Sequence, residues 1–310
     1  MGVMRNILLW ASANPTLKEK VPHLKFVQKA LKRFMPGEKP EDAIAATKIF
    51  QADGIPTIFT QLGENLSNLS EADDVRNHYL NVIEKIAEEK LDVEVSIKLT
   101  QLGFDLSEEK TYKNFREILL RAKSLLKNTV WIDMEGSAYT QRTIDFYKKI
   151  KSEESNTGLC LQSYLFSTHE DLNQLMDLKP EIRLVKGAYK EPPEIALKDK
   201  IRVDENYLDL SQKMLTKIKE GTMKAVFGTH DLKLIDAINK YAEAIGLEKS
   251  KYEFHMLYGI KTREQIRLAE EGYKVRVLIS YGSAWYPWYV RRLAERPANI
   301  TFVLKNIFSG

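Results

Sequence analysis

Along this chain, short apolar runs rich in β-branched residues alternate with longer amphipathic stretches rich in Lys and Glu. Eight such runs stand out: Thr57–Leu62, Val93–Leu99, Thr129–Met134, Gly158–Tyr164, Ile182–Gly187, Ala225–Thr229, Tyr252–Leu257 and Val275–Ser280. The segments between them carry a helical period. After the first run, Tyr79, Val82, Ile83 and Ile86 fall at i, i+3, i+4 and i+7, while Glu84, Lys85, Glu88 and Glu89 take polar positions. Strand–helix alternation implies a parallel sheet, because each return crossing needs a helix. Eight units predict an α/β fold, a (β/α)8 TIM-like barrel, over residues 46–310. Residues 1–45 precede it as a helical segment divided by Pro15, Pro22, Pro36 and Pro40. A doubly wound sheet is the competitor, but no G-x-G and no Walker A loop occurs in the sequence.

Composition narrows the class. The 310 residues suit one barrel, and 44% hydrophobic with 29% charged residues exclude a disordered chain. The single cysteine, Cys160, excludes an intrachain disulfide framework, points to a reducing compartment and reads as a small buried hydrophobe on the fourth strand. No apolar run approaches the roughly 18 residues of a membrane span. The start, with its short stretch Ile7–Ala11, lacks the basic region of a signal peptide. The net charge of +4 is spread over both signs without a basic stripe, which argues against nucleic acid as a partner. Leu24, Val27, Leu31 and Phe34 line one side of a basic helix. Packing on its own domain is the expected use of that stripe, with an anionic membrane surface as the alternative.

In a barrel, chemistry gathers at the C-terminal ends of the strands. Those ends supply Gln61, Lys98, Asp133, Gln162, Arg183 with Lys186, Thr229–His230, Met256–Leu257 and, just beyond the eighth strand, Tyr281. Arg183 demands the most explanation, since a cation in an apolar strand is costly unless paired. Alternation puts Arg183 and Val185 on one face and Leu184 and Lys186 on the other. Gly187–Ala188 would let backbone approach a ligand closely. After the last strand, Pro287 fits the first turn of a helix on which Arg291 and Glu295 are i,i+4 partners. The pair Arg291–Arg292 beside Trp285, Trp288 and Tyr289 suits a carboxylate clamp with apolar walls. His23, His78, His169, His230 and His255 show no metal-binding spacing, so no metal site is expected. His230–Asp231 lacks the G-x-S-x-G elbow of a hydrolase triad.

Seven segments in order resemble the proline dehydrogenase family in its short bacterial single-function form, over nearly the whole chain. They are Ser96-Ile97-Lys98-Leu99, Ile132-Asp133-Met134-Glu135, Leu161-Gln162-Ser163-Tyr164, Arg183-Leu184-Val185-Lys186-Gly187-Ala188-Tyr189, Gly228-Thr229-His230, Glu253-Phe254-His255-Met256-Leu257-Tyr258-Gly259 and Arg291-Arg292-Leu293-Ala294-Glu295. The resemblance implies a (β/α)8 barrel with FAD across its mouth. It also implies oxidation of L-proline to Δ1-pyrroline-5-carboxylate, a quinone as electron acceptor, and a cytoplasmic location with peripheral contact at the inner face of the membrane. In that reading the cofactor-binding residues are Met134, Gln162, Arg183, Lys186, Gly187, Ala188, Thr229 and His230. The substrate carboxylate falls to Lys98, Arg291 and Arg292, while Tyr189, Leu257 and Trp288 wall the proline ring. Asp133 and Arg183 form the catalytic pair, with Arg183 near flavin N5. The chain departs from the family at Leu278 and Trp288, where Tyr is common; Tyr281 is close to Leu278 in sequence.

Two other readings stay open at this point. A Schiff-base barrel aldolase would use Lys98 or Lys186 as nucleophile. A non-catalytic barrel would act through its surface and hold no flavin.

Overall fold

The computed structural model describes residues 8, 10, 11, 14–21, 24–63 and 66–295. Ahead of the first strand lie helices α1 (Pro15–Lys20), α2 (Lys25–Leu31) and α3 (Pro40–Ala52). Strands and helices then alternate: β1 (Thr57–Gln61), α4 (Leu69–Glu88), β2 (Val93–Ile97), α5 (Glu108–Leu125), β3 (Val130–Ile132), α6 (Thr140–Glu153), β4 (Thr157–Gln162), α7 (Thr168–Asn173) and β5 (Glu181–Val185). They continue as α8 (Lys200–Lys219), β6 (Lys224–Gly228), α9 (Leu232–Ala244), β7 (Glu253–Leu257), α10 (Thr262–Glu270), β8 (Lys274–Tyr281) and α11 (Trp285–Glu295). The strands run parallel in chain order, and β1 closes on β8 to complete the expected barrel. The division between N-terminal segment and barrel drawn at residues 45 and 46 falls inside α3.

Each expected strand is present, displaced by one or two residues. Lys98, Asp133, Met134, Lys186, Gly187 and Thr229 lie just past the ladders, where the chain leaves the sheet. Helix starts are fixed by side chains that accept first-turn N–H groups: Asn68 from Glu71, Ser107 from Lys110, Asp199 from Ile201 and Arg202, and Asp231 from Lys233.

Alternation along the strands divides two interiors. Val95, Ile97, Leu159, Leu161, Ile182, Leu184, Phe227, Phe254, Val277 and Ile279 join the apolar layer under the helices. The other face of each strand points into the barrel and is unusually polar, where branched apolar residues commonly dominate. Arg276 on β8 reaches Glu253 on β7 at 3.0 Å, Glu94 on β2 at 3.6 Å and Asp92 at 2.9 Å. His255 Nε2 lies 3.1 Å from Glu253. Trp131 on β3 donates its indole N–H to Glu94 at 2.6 Å. Burial pushes the Glu94 carboxyl up to about 7, against the pull of Arg276. Burial also pushes His255 down to about 4, against the pull of Glu253.

A second apolar cluster joins the N-terminal helices to α11. Val27, Ala30, Leu31, Phe34 and Met35 pack with Leu62, Trp285, Tyr286, Tyr289, Val290 and Leu293. The stripe of α2 is therefore used within the chain; Val27, Leu31 and Phe34 are buried, and only Leu24 remains exposed. Each such side chain contributes about 1.5–3 kcal/mol when fully buried. Among the described residues no helix is long and apolar enough to cross a membrane.

Candidate active site

Asp133 begins the β3 exit loop, its N–H donating to the Ile97 carbonyl at 2.9 Å. Its Oδ1 accepts from the Ser96 hydroxyl at 2.8 Å and from Arg183 Nη2. Arg183 Nη2 also donates to Ser96 Oγ at 2.8 Å. Three strands thus converge on one buried ion pair. Arg183 is 3% exposed; burial opposes its charge most strongly, and Asp133, Cys160 and Glu94 together more than offset burial and hold the guanidinium charged. Its Nη1 has no hydrogen-bond partner among the described residues. Gln162, at the end of neighbouring β4, donates to the Met134 carbonyl at 3.5 Å and leaves its Oε1 without a partner. Cys160 sits opposite Arg183 in the ladder, a buried thiol outside any disulfide, pushed up by burial.

The β5 exit loop is held from several sides. Lys186 reaches Asp204 at 2.5 Å and Asp231 at 3.3 Å, which ties the loop to α8 and to the start of α9. Gly187 has φ +106°, and a Cβ there would stand 2.2 Å from the Tyr164 ring. Only glycine combines this backbone with so close a neighbour. Glu191 accepts from the Ser137 N–H at 2.8 Å, from the Ser137 hydroxyl, and from the Tyr164 hydroxyl at 3.4 Å. Ala188 is half-buried in this loop. Tyr189 presents its ring to Arg291, whose Cζ lies 5.4 Å from the centroid.

On the remaining side, His230 Nε2 accepts the Leu257 N–H at 2.7 Å, joining the β6 and β7 ends. Thr229 Oγ1 accepts the Asp231 N–H at 3.1 Å. Lys98 is buried at the end of β2, where its N–H donates to Gln101 Oε1 at 3.2 Å. Trp288, Arg291 and Arg292 are half-buried on α11, and Trp288 packs on the cluster shared with the N-terminal helices. The expected Arg291–Glu295 pair lies outside the described side chains. Tyr281 faces away from the lumen: it is fully buried, bonded to His78 at 2.9 Å and edge-on to Phe59. It leaves the lumen to Leu278 because β8 alternates, which puts Ser280 and Leu278 on the opposite face from Tyr281.

Sequence reading assigned no role to Ser96, Trp131, Asp204, Asp231 or Glu191. Ser96 and Trp131 carried a weak signal, since each shares strand parity with an ionisable site residue. Asp204 and Glu191 lay in ordinary charged stretches.

A closed parallel barrel with a charged pair and uncommitted polar atoms at its C-terminal mouth is the architecture of a barrel enzyme. The proline dehydrogenase family pattern matches residues 43–305. Proline dehydrogenase 1 of Bacillus subtilis subsp. natto is 38% identical over 305 residues, covering 98% of this chain and 99% of the relative. Proline dehydrogenase of Deinococcus radiodurans is 36% identical over 283 residues, covering 90% of each chain. The chain belongs to the proline dehydrogenase family of oxidoreductases. Proline utilization A of Bdellovibrio bacteriovorus, inactivated by N-propargylglycine, shares the fold with a TM-score of 0.80 at 24% identity. The match covers 94% of this chain and 36% of that longer one.

Proposed function

We propose that this chain oxidises L-proline to Δ1-pyrroline-5-carboxylate with FAD as cofactor and a quinone as the final electron acceptor. Family membership supports the substrate. The observation that carries the cofactor reading is the pair of uncommitted buried atoms at the ends of β4 and β5. Arg183 Nη1 is a donor and Gln162 Oε1 an acceptor, both without partners among the described residues. A flat ring edge bearing both N–H and carbonyl groups answers that combination. Gly187, whose Cβ position the Tyr164 ring occupies, lets the β5 exit loop take its tight course. In this reading Met134, Gln162, Arg183, Lys186, Gly187, Ala188, Thr229 and His230 hold the flavin. FAD, when bound, supplies the two-electron acceptor that side chains lack.

The net change is loss of a hydrogen from ring C5 together with its bonding electron pair, and of a proton from the ring nitrogen, two electrons and two protons in all. The chain's own part is position and electrostatics. Lys98, Arg291 and Arg292 hold the carboxylate, and Tyr189, Leu257 and Trp288 wall the ring, which lowers the entropic part of the barrier. Asp133 and Ser96 fix Arg183 against the lumen wall. Lys186, an ammonium between two carboxylates, is poorly placed as a Schiff-base nucleophile. Transfer to a quinone places the enzyme in the cytoplasm in loose contact with the inner face of the membrane.

The visible absorption spectrum of the purified protein tests the reading. A flavin spectrum that bleaches anaerobically on adding proline, and returns on adding a soluble quinone, is the expected result. A colourless protein that takes up no FAD, or flavin that proline does not reduce, would overturn it.

A further inference from the structure

Trp131 is, with Trp285, one of the two fully buried tryptophans among the described residues, and it lies in the lumen below the site rather than under the helices. Four contacts set it there. Its indole N–H donates to Glu94 on β2 at 2.6 Å. Its ring meets His255 on β7 edge-on at 5.4 Å between centroids. It spreads over Gly158 on β4, where a Cβ would stand 2.5 Å from Trp131 Cε3. The Arg183 guanidinium on β5 lies over the indole, 5.0 Å from Cζ to the centroid. Gly158 is thus the gap through which a β3 side chain reaches across β4 to β5. A buried guanidinium has two needs, a counter-charge at its N–H edge and a polarisable surface under its face. Asp133 and Ser96 meet the first. An indole face meets the second, and accepting its N–H at a carboxylate raises the electron density of the ring.

We propose that Trp131 is a positioning residue: a platform, locked by Glu94 and Gly158, that sets the height and orientation of Arg183 at the barrel mouth. The proposal rests on the reading above that Arg183 acts on the cofactor. Without the platform the guanidinium keeps Asp133 but gains freedom to tilt, and the free Nη1 loses its fixed direction. A platform of this kind predicts a rate effect without a substrate-binding effect, since the four contacts of Trp131 above include Arg183 and none of the residues assigned to the carboxylate.

The test uses the flavin-loaded full chain and the variants W131L, W131F, G158A and R183A, with R183K to assign the NMR signal. W131L removes the face, W131F retains one, and G158A keeps the indole but drives a methyl into it. In arginine-selective 15N spectra the Arg183 Nε–Hε signal, assigned by its loss in R183K, should be displaced by the ring current. That displacement should collapse in W131L and G158A and persist in W131F. Flavin reduction at saturating proline should slow by about tenfold in W131L and G158A, the scale of a desolvated cation–π contact. W131F should recover most of the rate. Affinity for tetrahydrofuran-2-carboxylate, a proline analogue lacking the ring nitrogen, should be unchanged in all three. If R183A reduces its flavin normally, the role of Arg183 is wrong and the platform falls with it. If R183A is impaired but G158A keeps the wild-type signal and rate, the platform alone is refuted, whether or not W131L folds. A W131F variant as slow as W131L also refutes it.

Discussion

Arg183 carries its charge at 3% exposure, so its neighbours decide both whether the fold tolerates it and what it can do. Asp133 supplies the answering charge, and its side chain is 20% exposed at the mouth. Asp133→Asn should preserve the shape of the site while removing that charge. We expect turnover to fall by about tenfold or more, through loss of a charge-assisted bond, with flavin retained. Steady-state kinetics beside the flavin-to-protein absorbance ratio checks this; wild-type turnover would remove Asp133 from the site. Arg291→Met and Arg292→Met should act on binding instead. Each loses a charged hydrogen bond to the carboxylate, roughly 1.5–3 kcal/mol, or on the order of 10- to 100-fold in KM for proline. A change below about threefold in both variants would remove them from the carboxylate site. Asp133 and Arg183 were legible in the sequence because ionisable groups ending apolar runs are expensive without a purpose. Ser96 and Trp131 carried only strand parity with Lys98 and Asp133, a signal too weak to assign them a role. A serine or tryptophan in an apolar run looks like core, and only the register of four strands brings Glu94, Gly158 and Arg183 around one indole.

Among the elements, α11 stands apart because its apolar side packs in one cluster with the N-terminal helices. Trp285 Nε1 donates to Glu38 at 2.9 Å, and Phe34 meets Tyr289 edge-on. The helix that presents Arg291 and Arg292 is therefore held in place by the segment ahead of the barrel. Gly259, in the β7 exit loop, is the contact that admits this segment: it has φ +70°, and a Cβ would fall 1.6 Å from the Arg33 carbonyl oxygen. Gly259→Ala should push residues 33–34 off the barrel and loosen α11 with them. We expect KM for proline to rise severalfold while flavin content and the reduction rate at saturating proline hold, as for lost uniform binding. A fall in flavin content with unchanged KM would show that the loop serves the cofactor side instead. The start of α11 was readable from Pro287, and the barrel strands from their apolar runs. The docking of α11 was not, because the apolar stripe of Val27, Leu31 and Phe34 is compatible with any apolar partner. A helical stripe states that a face must be covered and leaves open what covers it.

At the scale of the molecule, the barrel is a shell of apolar packing around an ionic column, and the column makes stability depend on pH in two opposed ways. His255 is held neutral, at about 4 against an ordinary 6.5, chiefly by burial. A depressed histidine favours the fold above pH 6.5, and that advantage is lost as pH falls from 6.5 towards 4. Glu94 is pushed the other way, to about 7 against an ordinary 4.5, again chiefly by burial. A raised carboxyl favours the fold below pH 4.5, and that advantage is lost as pH rises from 4.5 through 7. Each shift corresponds to about 3 kcal/mol at its limit, so the two largely offset one another across pH 4.5–6.5 and hide in the wild-type profile. Neutral isosteres separate them. His255→Gln removes the acid-side loss, so its melting temperature relative to wild type should climb as pH is lowered from 7 to 4.5. Glu94→Gln keeps an acceptor for the Trp131 N–H and removes the loss near neutrality, so its relative melting temperature should climb as pH is raised from 4.5 to 8. Thermal unfolding of the three proteins across that range reads both slopes. Parallel curves for Glu94→Gln and wild type would mean that Arg276, with Glu94 at 3.6 Å, already keeps the carboxylate ionised at every pH tested.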